Sequence, residues 1–417
     1  MRTYQLPLDL VRERSPERPV ALVRPASVAV AARWFQNNLK ADVFYAVKAN
    51  PSRWVIETLV ETGVNAFDVA SIAEIELVRS VSADARLAFM HPVKSRGAIK
   101  SAYHDYNVRT FVLDSHDELQ KILEATEFAS DLNLIVRMGV SADGAAYSLS
   151  GKFGVSLDQA PALLLATRQA VEDGLMGISF HVGSQCMRPS AYEAAMTQVG
   201  RAIKKAGVFV DIVGGFPSVY PGMVPPDLQE YADAIHRGFA EMPVSETTEL
   251  WCEPGRSIVA ESSSILCRVD LRKGDALYLN DGSYGSLFDA THSRWPFPTK
   301  LVRDAESASE MKPFRFYGPT CDSIDHMPGP FWLPADVREG DFIEIGMMGA
   351  YGVAMSTGFN GYGSHDIAVV EDAPMASLYG LAPRSIPTVR TTAEENSRKI
   401  VRLSRPKGKA GQRKRRK

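Results

Sequence analysis

Lys48 closes the apolar run Val43-Phe44-Tyr45-Ala46-Val47, and Asn50-Pro51 stops the chain just beyond it. The run is β-branched and aromatic, as in a strand buried on both faces. An ammonium at the end of such a strand is costly to desolvate. It is tolerated if paired, if it snorkels to solvent, or if the amine is held as a Schiff base. Far along the chain, Glu253-Pro254-Gly255-Arg256 sets an arginine behind a fixed turn, suited to bidentate capture of phosphate or carboxylate. Gly214-Gly215-Phe216-Pro217 can bare backbone N–H groups to an anion, and Ser184 in His181-Val182-Gly183-Ser184-Gln185 can add a hydroxyl. Near the C-terminal third, Cys321-Asp322 pairs a thiol able to protonate a carbanion with a negative site for a distal ammonium. Each group has a plainer reading by itself: a turn for the glycines, a core histidine for His181, a buried small hydrophobe for Cys321.

These residues need a frame that brings them together. From about 25 to 260 a short apolar strand repeatedly precedes a segment with helical periodicity. Strands are expected at 43–47, 66–70, 87–91, 108–114, 132–139, 175–182, 208–214 and 248–252. Helices are expected at 54–62, 73–81, 95–104, 117–129, 161–173, 191–206 and 227–242. Eight alternating units imply a closed parallel (β/α)8 barrel, with an open doubly wound sheet as the alternative. The first strand is not followed by the glycine fingerprint of dinucleotide folds. In a barrel, chemistry sits at the C-terminal ends of strands. Lys48, Asp68, His91, Asp114, Arg137, His181, Gly214-Gly215, Glu253 and Arg256 all fall there, a ring that packing does not explain.

From about 261 the helical period stops. Short alternating runs at 264–271, 275–280, 312–317 and 341–345 indicate a C-terminal antiparallel β domain. The expected division is therefore 1–24, a segment pairing with the β domain; 25–260, the barrel; 261–385, the β domain; and 386–417, a disordered basic tail. Residues 398–417 hold 11 Lys/Arg and no acid, so the rest of the chain carries −13 of a total −2. Such a tail binds polyanions weakly, and the acidic body argues against a nucleic-acid-binding domain. Four scattered cysteines without metal spacing, no secretory signal and no apolar span point to a cytoplasmic protein without a metal site.

A buried lysine beside a phosphate corner is most economically served by pyridoxal 5′-phosphate, held covalently by Lys48. An acid such as Glu253 would keep the pyridine nitrogen protonated, and His181 would lie flat against the ring. Phe44–Pro51, Phe67-Asp68-Val69-Ala70-Ser71, HVGSQ, GGFP, EPGRS, CDSID and the later Gly349-Ala350-Tyr351 and Phe359-Asn360-Gly361-Tyr362 occur in that order. Over about 20–375 the chain thereby resembles the fold type III pyridoxal-phosphate decarboxylases of basic amino acids, most closely the ornithine decarboxylases. The resemblance implies an alanine-racemase-like barrel plus β domain, a homodimer with active sites shared between subunits, and a small amino-acid substrate. It implies Lys48 as the covalent anchor, His181 stacked on the ring, and Glu253 on the pyridine nitrogen. Ser184, Gly214, Gly215, Arg256 and Tyr351 would hold the phosphate, with Asp68, Glu74 and Arg137 beneath or beside the cofactor. Cys321 would return the proton after loss of CO2, and Asp322 would take the distal amine of a substrate bound by the partner.

Departures from the pattern bear on substrate. Val213-Gly214-Gly215 has one glycine fewer than many members. After Asp281–Ser286 the usual Tyr-Asp pair gives way to Leu287-Phe288-Asp289, so Asp289 is a substitute acid for the distal amine in altered register. L-Ornithine is the expected substrate, with L-lysine also admitted and putrescine or cadaverine as product. Diaminopimelate, carboxynorspermidine or arginine is the alternative, and an inactive regulatory homologue is a third reading. Residues 141–151 read as a flexible lid.

Overall fold

The strands at one end of the chain are short and saturated with Val, Phe, Tyr and Leu, and they pair in parallel. In the computed structural model, which describes residues 1–141, 145–147, 151–206, 215–244 and 248–381, Tyr45–Ala46, Ala66–Val69, Arg86–Phe89, Thr110–Leu113, Asn133–Met138 and Met176–Phe180 form one six-stranded sheet in sequence order. All five pairings are parallel. Asp42–Val43 pairs in parallel with Trp251–Cys252, which curls the last strand back to the first. The expected strand 208–214, with Gly214, lies outside the described residues, as do the tail and most of the 141–151 lid. Within that lid segment, Ala145–Tyr147 pairs antiparallel with Ser184–Cys186.

Side-chain alternation sorts these strands into two cores. Phe44, Ala66, Ala88, Met90, Val112, Ile135 and Trp251 fill the barrel interior, where Phe44 stacks on Trp251 at 4.4 Å. The alternate residues Tyr45, Phe67, Phe111 and Leu134 face outward against helical Val55, Ile75, Ile99 and Ile122. Each such side chain contributes about 1.5–3 kcal/mol on burial. Three successive helices, Ile72–Val81, Arg96–His104 and His116–Ala125, begin at serine caps. Ser71, Ser95 and Ser115 accept from the N–H groups of Glu74, Ala98 and Glu118. The caps turn the chain sharply at the C-terminal strand ends, where the ring of polar residues stands.

The sequence reading overlooked the helix Pro25–Asn38, whose proline start and apolar stripe follow the strand Val20–Val23. The second sheet has nine strands: Thr3–Tyr4, Val20–Val23, Ser263–Lys273, Ala276–Leu279, Thr299–Val302, Met311–Tyr317, His326–Pro334, Phe342–Ile345 and Asp366–Val370. Its pairing is mixed where an antiparallel domain was expected. Asp366–Val370 runs parallel to both Thr3–Tyr4 and Val20–Val23, and Ala276–Leu279 parallel to Met311–Tyr317. Local alternation reveals that a segment is a strand but not the direction of a distant neighbour. Behind this sheet Arg24 is buried against Glu344 and Asp372, both at 2.8 Å. No helix among the described residues is long and apolar enough to cross a membrane.

Candidate active site

The first strand ends at Ala46, and Lys48 sits in the single turn Val47–Ala49. Ala46 is in register with Asp68 on the next strand. Ala66 faces the barrel interior, so Asp68, two residues on, does too. Lys48 Nζ thus meets Asp68 Oδ2 at 3.1 Å. The Asp68 side chain is 1 % exposed; that of Lys48 is 45 % exposed, because it faces the open mouth. The Asp68 carboxylate holds the Lys48 ammonium above its ordinary range against the opposing effect of burial, with Tyr351 and Glu253 adding to it. Glu74 completes a reciprocal cap: its N–H donates to Ser71, and its Oε2 accepts from the Ala70 N–H at 2.6 Å. Burial raises the Glu74 pKa, and the Asp68 charge adds to this, while the Ala70 N–H and Lys48 pull it down.

The same period-two logic carries Arg137 inward two residues beyond Ile135, opposite Ser179 on the neighbouring strand. Its guanidinium lies over Phe153 at 5.7 Å. His181 follows that strand, and its Nδ1 accepts from the Gly183 N–H at 2.9 Å, which leaves the ring proton on Nε2. Burial, then the charges of Arg137 and Lys48, push the imidazole down to about 3. A neutral, flat ring results. The folded chain refuses a proton that the unfolded chain takes up near pH 6.5. Stability is therefore full above about pH 6.5 and falls as acid is added toward about pH 3, while a group lacking the ring shows no such loss. We expect the urea midpoint of wild type to drop more between pH 7 and 5 than that of His181→Phe. Equal drops would contradict a neutral, half-buried ring.

Two loops meet beside His181. Gln185 accepts from the Ser218 N–H at 3.0 Å and donates back to the Ser218 carbonyl, while Cys186 N–H donates to Gly215 O at 3.3 Å. This amide zipper, which the sequence reading did not assign, binds His181–Gln185 to Gly215–Ser218 and sets Ser184 beside Gly215. Gly215 has φ +129°, and a Cβ there would stand 2.8 Å from Val182 Cγ2 and 2.9 Å from Gly183 O. Only glycine fits that close approach.

The Glu253–Arg256 turn packs on the turn that carries Lys48. A Cβ on Gly255 would touch Ala49 Cβ at 3.0 Å and Ala46 Cβ at 3.2 Å, and Ala46 N–H donates to Pro254 O. Tyr351 N–H donates to Ala49 O at 2.9 Å, and Asn50 Nδ2 donates to Gly349 O at 2.8 Å. The β domain is thereby sewn to the Lys48 turn on both sides. Arg256 is 8 % exposed. Its Nη1 donates to Tyr220 OH at 3.0 Å, and its guanidinium lies 4.2 Å from the Trp295 ring centre and 4.7 Å from that of Tyr351. Its Nε is buried and finds no hydrogen-bond partner among the described residues. Burial acts against the charge, but Tyr220, Tyr351 and Asp289 together hold the pKa up. Asp289, on the short helix Phe288–His292, lies 3.6 Å from Arg256 Nη2. Tyr220 and Trp295 were missed by sequence reasoning; each is an aromatic beside a proline, a pattern with many plainer uses.

Cys321 and Asp322 stand apart from this group. Cys321 is exposed. Its N–H donates to Asn360 Oδ1 at 3.2 Å, while Asp322 accepts from Tyr284 OH at 2.6 Å and from the Ile324 N–H at 3.1 Å. All these partners belong to the β domain. The Tyr284 hydroxyl, then the Ile324 N–H, hold the Asp322 carboxyl below its usual range. Around them Ile324, Phe359 and Tyr362 are 55 %, 44 % and 45 % exposed.

The model of the pyridoxal-dependent decarboxylases, pyridoxal binding domain, matches residues 26–260. A lysine/ornithine decarboxylase from Selenomonas ruminantium is 32% identical over 348 residues, covering 80% of this chain and 85% of that protein. Antizyme inhibitor 2 from Xenopus laevis is 31% identical over 348 residues, covering 76% and 73%. Among solved structures, lysine/ornithine decarboxylase from Vibrio vulnificus complexed with putrescine superposes with a TM-score of 0.74 at 29% identity, covering 88% of this chain and 99% of that one.

Proposed function

The chain belongs to the pyridoxal-dependent decarboxylases, and from that premise we propose that it removes CO2 from a basic amino acid with a distal ammonium, L-ornithine first and L-lysine second. Its residues fit the cofactor. The buried, unpartnered Nε of Arg256 offers a donor for the phosphate, and Gly215 admits a backbone approach that a Cβ would block. When bound, pyridoxal phosphate supplies an electron sink for the pair left at Cα as CO2 departs. Lys48 would carry it through its amine, with Asp68 as the nearest acceptor for the lysine proton. Glu253 would keep the pyridine nitrogen protonated, and neutral His181 would cover the ring without adding charge to it. Ser184, Gly214, Gly215, Arg256 and Tyr351 would hold the phosphate, with Glu74 and Arg137 bordering the site.

The observation that carries the substrate class is Asp322, a carboxylate kept ionised by Tyr284 beside the Cys321 thiol. Such an acid complements a distal ammonium and repels a distal carboxylate. Asp322 and Cys321 face outward amid exposed Ile324, Phe359 and Tyr362, which supports a homodimer in which each copy completes the other's site. There Asp322 would bind the distal ammonium, and the Cys321 thiol would give its proton to Cα. The test is CO2 release from a panel of ornithine, lysine, arginine, carboxynorspermidine and diaminopimelate with added cofactor. Ornithine or lysine should lead. A preference for diaminopimelate would overturn the distal-ammonium reading, and no release from any of them would favour an inactive homologue.

A further inference from the structure

Asp289 was expected, from its place after the Asp281–Ser286 run, to hold the substrate's distal amine. Its ion-pair partner is instead Arg256, at 3.6 Å in the phosphate corner. One turn delivers two groups to that guanidinium. The Asp289 carbonyl accepts the Trp295 N–H at 3.2 Å, while the Asp289 carboxylate and the Trp295 ring both meet Arg256. The arginine does not need the acid to stay in place, since Tyr220 OH and the rings of Trp295 and Tyr351 already fix it. What Asp289 adds is charge. Its side chain is 15 % exposed, so water screens it little.

We infer that Asp289 is the internal counter-ion of Arg256 and sets how tightly the cofactor's phosphate is held, and that it is not the acid that grips the substrate. The inference rests on reading Arg256 as the phosphate ligand. A dianionic phosphate approaching Arg256 meets a carboxylate already spending that charge, and the two anions repel. Neutralising the acid therefore strengthens phosphate capture. Asn is nearly isosteric with Asp, and the helix that carries it is closed by backbone bonds from Ala290 and Ser293 that the substitution leaves intact.

The experiment titrates Asp289→Asn with pyridoxal phosphate, with pyridoxal lacking the phosphate, and with inorganic phosphate as competitor. Phosphate-bearing ligands should bind about five-fold or more tightly than to wild type, pyridoxal should bind equally, and KM for ornithine at saturating cofactor should move by less than about twofold. Asp289→Glu, which keeps the charge, should bind cofactor as wild type does. Unchanged or weaker cofactor binding in Asp289→Asn overturns the inference, as does a KM raised about tenfold or more. Arg256→Gln separates the two levels. If it leaves pyridoxal phosphate affinity intact, the phosphate reading itself fails. If it weakens that affinity while Asp289→Asn gains nothing, only the counter-ion role fails.

Discussion

Lys48→Ala is expected to lower decarboxylation at least ~10³-fold and to abolish covalent retention of the cofactor. Borohydride reduction followed by peptide mass analysis reads the second effect directly: wild type should carry the cofactor mass on the peptide containing Lys48, and the variant should not. A wild type that retains no cofactor after reduction would remove the basis of the proposed chemistry. The substitution also acts on stability. Asp68 is 1 % exposed and pairs with Lys48, so it would be left as a buried carboxylate without its cation. Leaving such a group unsatisfied costs about 1–3 kcal/mol. Lys48→Arg separates the two roles, since it keeps a cation for Asp68 but cannot anchor a carbonyl compound. It should melt close to wild type and be equally inactive. Adding Asp68→Asn to Lys48→Ala should recover most of the lost stability and none of the activity.

Cys321→Ala and Lys48→Ala, each inactive, should recover activity when mixed. If each site draws Lys48 from one subunit and Cys321 from its partner, random exchange makes half the dimers mixed, and one of their two sites is intact. About a quarter of wild-type activity is then expected at equal proportions. No recovery despite demonstrated exchange would mean that Cys321 serves the site of its own chain. Asp322→Ala tests the other half of the loop. Removing the acid that complements the distal ammonium should raise KM for ornithine by about tenfold or more. Tyr284→Phe should produce a smaller rise, because it removes one hydrogen bond to Asp322 and leaves the charge.

The barrel end of the molecule was open to reading because its information is local. Lys48, Asp68, Arg137 and His181 each follow an apolar run whose period-two alternation decides the face of the sheet, and parallel pairing then gathers the run ends in one mouth. Glu74 was named for the site by resemblance alone, and it stands three residues after its serine cap. The remaining contacts join residues far apart in the chain. Nothing near Asp289 in sequence announces Arg256, and nothing near Asp322 announces Tyr284, since the first pairing joins a loop of the second sheet to the turn after a barrel strand and the second joins two loops of the second sheet. The parallel partners of Val20–Val23 and Ala276–Leu279 were hidden in the same way, because alternation records a strand's faces and not its neighbours.

The position of Val20–Val23 also constrains the order of assembly. This strand lies between Ser263–Lys273 and Asp366–Val370, antiparallel to one and parallel to the other, so both its neighbours are made hundreds of residues later. During synthesis this early strand must wait, with a row of unpaired amides, while the whole barrel emerges and folds. The sheet can be completed only after about residue 370 has left the ribosome, and every contact that completes it closes a very long loop. The turn carrying Lys48 receives its bonds from Gly349 and Tyr351 just before that point. A nascent chain cut short in its second sheet would thus possess a barrel and a reactive amine, but not the scaffold that holds that amine in place.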